Sequence, residues 1–244
     1  DDLGGYRDGS DARNYAGRPA RTVAKKPLLT GALDEPRAVR FAVVCWVVGV
    51  SAGLLAALLV AGRASPWAVV WMLAAQIASV QYSTGARLSY RPLGLELTIF
   101  FVTGTIALMP YWLIAGQPTR AAALAAALFG VWFLMIVSYG NASDRVGDAE
   151  VNRHTLAVLL PQRAFAVVLA ALLLIDVTLI GALFTTTTLS PAAAWTLVPV
   201  VVLHGCQLYF GPVRGNWRTA RFIGLASLDA GALGLVAAIL LSAR

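Results

Sequence analysis

Long apolar runs, separated by short polar and basic segments, set the pattern of this chain. Seven stand out: Phe41–Gly62, Pro66–Ser83, Leu93–Gly116, Ala121–Tyr139, Ala164–Phe184, Pro191–Gly211 and Phe222–Ser242. A helix crosses the hydrocarbon core of a bilayer with roughly 17–25 mainly apolar residues, and every run falls in that range. None shows the ~10-residue alternation of a membrane β-strand. The pattern predicts an all-α, polytopic membrane helix bundle of seven spans over 41–244, preceded by a polar segment over 1–40.

Composition agrees. The 244 residues are 59% apolar and 13% charged, against about 45–50% and about 25% in soluble domains. That excludes a water-soluble globule, and equally a disordered chain. Cys45 and Cys206 both lie in apolar runs, which leaves no disulfide framework and no Cys-based zinc site. A net charge of +7 would suggest nucleic acid in a soluble protein, but its placement gives another account. Of the 19 Lys and Arg residues, sixteen fall on one side of the seven-span topology and only Arg63, Arg120 and Arg244 on the other. By the positive-inside rule the basic side is cytoplasmic, so no nucleic-acid partner is implied. The chain opens on Asp1 and Asp2 with no initiator Met, like a start cut short.

Nine of the 12 carboxylates share that basic side. One group is Asp144, Asp148 and Glu150, preceded by Asn141. Asn141, Asp144 and Asp148 stand at i, i+3 and i+7, one face of a helix, so one oxygen ligand per turn lines up. Magnesium takes a few carboxylates together with substrate phosphate oxygens, and the spacing suits a diphosphate–Mg²⁺ cradle. The other group, Asp1, Asp2, Asp8 and Asp11, is followed by Arg18, Arg21, Lys25 and Lys26. Acids for a metal beside cations for phosphate repeat the theme, with Arg145 and Arg153 near the second group.

These residues resemble the UbiA superfamily of intramembrane prenyltransferases, which carries two Asp-rich motifs on cytoplasmic loops. Lys26-Pro27-Leu28-Leu29-Thr30-Gly31 resembles its Arg-Pro-Leu-x-x-Gly segment. Arg153-His154-Thr155-Leu156-Ala157-Val158 resembles the tract after its second motif, held here by Asn141, Asp144 and Asp148 within 141–155. Tyr82-Ser83-Thr84-Gly85, Gly94-Leu95-Glu96-Leu97 and Asn216-Trp217-Arg218-Thr219-Ala220-Arg221 look closest to the 1,4-dihydroxy-2-naphthoate branch. The seven spans would be helices three to nine of a nine-helix fold. In the first motif, Asn-Asp-x-x-Asp, Asp1 stands at the Asn and Gly5 at the second Asp; Asp8 and Asp11 are expected to compensate.

The resemblance implies transfer of a prenyl chain from a prenyl diphosphate to an aromatic, quinone-precursor-like acceptor within the membrane, with Mg²⁺ as cofactor and the bacterial plasma membrane as location. Its expected metal ligands are Asp2, Asp8, Asp11, Asn141, Asp144 and Asp148, and its diphosphate ligands Arg21, Lys25, Lys26, Arg145 and Arg153. Tyr139 is a candidate for cation stabilisation through its ring face, or equally an interfacial belt aromatic. Glu96 is a candidate to orient or deprotonate the acceptor, with Tyr90 and Arg91 closing the site. A terpene cyclase of the same superfamily is one alternative. Asp176 and Asp229, acids inside spans, motivate a transporter as another, although their expected role, like that of His204, is contact between helices.

Overall fold

The computed structural model describes residues 2–15, 23–60 and 65–243, which are helical with no strand. Arg21, expected at the diphosphate, lies outside the described residues. Two short helices open the chain, α1 (Asp2–Asp8) and α2 (Ser10–Tyr15), hinged at Gly9 with φ +78°. A single turn, α3 (Pro27–Thr30), leads to the bundle: α4 (Glu35–Leu59), α5 (Pro66–Gln81), α6 (Gly94–Ala115), α7 (Arg120–Glu150), the one-turn α8 (Leu156–Leu159) and α9 (Gln162–Thr185). The sixth predicted span is composite. A 3₁₀ stretch (Pro191–Leu197) runs into α10 (Val198–Leu208) and then a π turn (Tyr209–Val213) holding Pro212. The last helix is α11 (Trp217–Ser242).

Helix starts follow their side chains. Asp34, Ser65, Thr119, Thr155 and Asn216 each accept a hydrogen bond from a backbone N–H of the turn they precede, satisfying donors the helix leaves orphaned. Inside lipid the backbone must satisfy itself, chiefly through the helical ladder, which Pro110 interrupts inside α6.

Among the described residues, six helices are long and apolar enough to cross a membrane. The second predicted span is the exception: α5 has 16 residues, about 24 Å at 1.5 Å per residue, because Tyr82 begins a tightly folded connection. It still packs between α4 and α6. The other departure is α7. The prediction ended this span at Tyr139, but the helix runs on unbroken to Glu150. The second acidic motif therefore rides on the helix itself, not on a loop.

α7 is also the hub, packed against α6, α9 and α11. Small residues let neighbours close in. Gly130 leaves room for Phe100, and Gly231 on α11 accommodates the Trp132 ring, which an added Cβ would strike. Trp132 Nε1 donates to Asp176 Oδ1 at 2.6 Å, and His204 Nδ1 lies 2.9 Å from Asp176 Oδ2. All three side chains are fully buried, so one carboxylate ties α7, α9 and α10 together. Asp229, expected to make a similar contact, is instead exposed on α11.

Replacing Asp176 by Ala strips two buried donors of their partner. It should cost about 1–3 kcal/mol, read as a lower unfolding temperature of the detergent-solubilised protein. Asp229→Ala should leave that temperature unchanged.

Candidate functional site

The two acidic groups meet at one end of the bundle. Ser10 and Asn14, four residues apart on α2, are both buried. Asn14 lies against Gly147 of α7, where any Cβ would collide with its side-chain oxygen. Arg13 Nε pairs with Glu150 at 3.3 Å, and Arg153 Nε stands 3.6 Å from Asp8 Oδ2. The same end gathers the connection after α5, since Gly4 fits against Ser83 with 2.9 Å between an added Cβ and the serine Cβ. From α11, Arg221 lays its guanidinium across Gly140, about 3.5 Å from the place of a Cβ and one turn before Asp144.

Asp8 serves as a latch. Its carboxylate accepts from the Tyr90 hydroxyl and, at 2.8 Å, from the Ser10 amide, with Arg153 beside it. Burial alone would raise its pKa. The hydrogen bonds from Tyr90 and Ser10, with the Arg153 charge, outweigh that and bring it below the ordinary 3.8. Tyr90 in turn carries guanidinium groups near its ring, Arg87 at 3.8 Å and Arg153 at 5.3 Å, and its carbonyl meets His154 Nδ1 at 2.8 Å. One tyrosine thus joins the first motif to the tract following the second.

Asp2 and Asp11 form a different arrangement. Lys26 Nζ lies 2.6 Å from an Asp2 oxygen and 3.0 Å from one of Asp11. Burial would depress the lysine, but its bonds to Asp2 and Asp11 hold its pKa above the usual range; it stays charged. The Asp11 carboxylate occupies the room a side chain at Gly5 would fill, its Cγ and Oδ2 2.8 Å from an added Cβ. The missing side chain at position 5 is thus replaced in space by an acid from the next helix.

On α7, Asp148 is buried, while Asn141 and Asp144 are half-buried. Arg145, 100° round the helix from Asp144, donates from Nη2 to the Leu160 carbonyl at 2.9 Å and so is turned towards α9. Lys25 is exposed in the 3₁₀ turn Val23–Lys25. Glu96 is buried at the start of α6, with Oε1 accepting from Leu156 N at 2.8 Å at the head of α8, while Oε2 is buried with no hydrogen-bond partner among the described residues. Tyr139 sits about 200° from Asn141 round the helix. It is fully buried against Gly211 and Trp217, in a core with Met135, Phe165 and Leu169; its ring faces protein, away from the acidic face.

Among the described residues, no three of His, Cys, Asp and Glu stand close enough to hold a metal ion. The expected six ligands therefore form separate groups, and the Asp8 carboxylate is already engaged by Tyr90, Ser10 and Arg153. Asp2 and Asp11 do fit a hard cation, because two carboxylate oxygens converge on one point that a cation, the Lys26 ammonium, already occupies. Asn14 and Arg221 escaped sequence reasoning. The usable signals were glycines, Gly147 and Gly140, placed on α7 where another side chain must approach.

Residues 10–228 match the UbiA prenyltransferase family. No curated protein and no solved structure matches the chain.

The latch predicts a pH signature. A carboxylate held below 3.8 adds stability that is fully present above that pH and lost as pH falls through the lower, folded-state value. Tyr90→Phe should cost about 1–2 kcal/mol at pH 7, and its gap from the parent protein should begin to narrow only as pH falls below 3.8. Parallel melting curves across that range would remove Asp8 from the latch.

Proposed function

The chain belongs to the UbiA prenyltransferase family, whose members transfer prenyl chains to acceptors in the membrane, and from that premise we infer that its donor is a prenyl diphosphate, its acceptor an aromatic ring, and its cofactor Mg²⁺. The observation that carries the reading is the meeting of two acid-bearing helical segments, with Lys26, Arg153 and Arg221 among them, at one end of an apolar bundle. Acids with interspersed cations at a membrane surface suit a diphosphate head group, while the surrounding helices suit a hydrocarbon tail.

Asp2 and Asp11 would hold Mg²⁺ on one side, and Asn141, Asp144 and Asp148 on the other. When bound, the ion neutralises charge on the departing diphosphate. Lys26, released from Asp2 and Asp11, contributes a point charge to phosphate oxygens, and Arg221, one turn from Asp144, contributes a second. Asp8 positions: through Tyr90 and Arg153 it sets the distance between α1 and the end of α7. Glu96 fixes the head of α8, its free oxygen available to orient an acceptor hydroxyl. The basic end is read as cytoplasmic, and the host membrane as a bacterial plasma membrane. Pairing of Asp176 with Trp132 and His204 supports a fixed helix contact over a carrier's ion site.

Purified protein in nanodiscs should release diphosphate from a prenyl diphosphate in the presence of Mg²⁺ and an aromatic acceptor, and EDTA should abolish release. Release of equal size without acceptor, with a hydrocarbon product, would make the protein a cyclase. Asp144→Ala with Asp148→Ala should lower turnover by about 100-fold or more in a protein that still inserts. Gly5→Ala is the sharper probe. Its methyl takes the place of the Asp11 carboxylate, so turnover should fall about tenfold or more with little change in melting temperature. Full activity in that variant would remove Asp11 from the metal site.

A further inference from the structure

Three polar side chains that the acidic end does not use lie along one seam of the bundle. On α10, His204 and Gln207 are fully buried and stand three residues apart, neighbours on one helix face. Tyr139 of α7, also fully buried, packs against Gly211, four residues beyond Gln207 in the π turn. A methyl group at Gly224 of α11 would strike both Gln207 Nε2 and Ile136 of α7, so Gln207 enters between these helices one turn from Tyr139. Seven residues further along α11, Gly231 makes room for Trp132, whose indole holds Asp176 and through it His204. The seam thus follows two turns of α7, from Tyr139 to Trp132, a length of about 10 Å.

Each of the three side chains has one polar atom to spare. Gln207 Nε2 donates to the Ala220 carbonyl at 3.0 Å. Turning the amide round would set oxygen against oxygen, which fixes Oε1 as the unused end. His204 Nδ1 lies 2.9 Å from Asp176 Oδ2, leaving Nε2. Gln207 Oε1, His204 Nε2 and the Tyr139 hydroxyl are all buried, with no hydrogen-bond partner among the described residues.

A buried polar atom left unbonded costs about 1–3 kcal/mol. Three of them would consume a large part of the ~5–15 kcal/mol by which a folded domain is stable, so the seam needs a polar guest. The chemistry of the three atoms selects it. One is a hydroxyl that donates, one a carbonyl that only accepts, and one an imidazole nitrogen. Water donates and accepts, and a buried water typically bonds about three such atoms. An apolar guest would satisfy none of them, and a metal cation would need a carboxylate oxygen where both of Asp176 are already bonded.

We propose that the seam between α7, α10 and α11 is an internal water site. A short file of water bonds the Tyr139 hydroxyl, Gln207 Oε1 and His204 Nε2, and gives the otherwise sealed Asp176–His204 pair a contact through which protons exchange. The chain has two histidines, so solid-state NMR of the whole protein in lipid, with isotope-labelled histidine, reads His204 alone once His154→Gln has removed the other signal. Magnetisation from water should reach the His204 ring, and Gln207→Met should reduce that transfer.

Tyr139→Phe gives a second reading, because it deletes only the spare atom. In a hydrated seam the variant loses a bond to water and should melt about 2–4 °C lower. In a dry seam it sheds an unmet polar group and melts unchanged or higher. That result overturns the proposal, as does absence of transfer to His204 in protein with Gln207 intact, or transfer undiminished by Gln207→Met.

Discussion

A polar group taken into hydrocarbon must find its partner within the protein, and the arrangement of this chain follows from how α7 meets that demand. Its 31 residues span about 46 Å, well beyond the ~30 Å hydrocarbon core. The apolar part is stitched to α9 and α10 through Trp132, Asp176 and His204, and the excess length carries Asn141, Asp144 and Asp148 towards the polar boundary. A single rigid rod therefore connects the packed interior to the candidate chemistry. The acids are placed by helix geometry and not by the vagaries of a loop.

Much of this was legible in the sequence because hydropathy and charge report on a solvent, and the bilayer is an unforgiving one. The apolar runs gave the bundle, and basic residues marked the segments that gather at one end. Turn chemistry was harder to read. α5 stops early because the segment after it folds back through Gln81 and the left-handed residues Gly85, Arg87 and Leu93, which apolar content does not announce. α7 continues past Tyr139 because nothing between Gly140 and Glu150 breaks a helix, although polarity there suggests a loop.

The candidate site was legible in residue type and less so in pairing. Spacing put Asn141, Asp144 and Asp148 on one face, and the structure keeps that face. It could not reveal that Asp8 is committed to Tyr90 and Arg153, that Arg145 turns towards the Leu160 carbonyl, or that Tyr139 packs into a core of Trp217 and Phe165. These depend on contacts between residues 15 to 145 positions apart, which no local pattern encodes. Arg153 was expected at a phosphate and stands by Asp8, where one guanidinium helps to fix the gap between two segments.

The substitution of Asp11 for a side chain at Gly5 has a consequence for how this protein tolerates change. An acid delivered by the same helix as its neighbours moves with them. One delivered from α2 depends on the left-handed bend at Gly9, which sets how far the second helix is folded back over the first. Point changes on the solvent side of α1 should therefore be absorbed easily, while inserting or deleting one residue at that bend would swing the carboxylate off target. Length at this bend is therefore a tighter constraint than composition on the exposed face of α1.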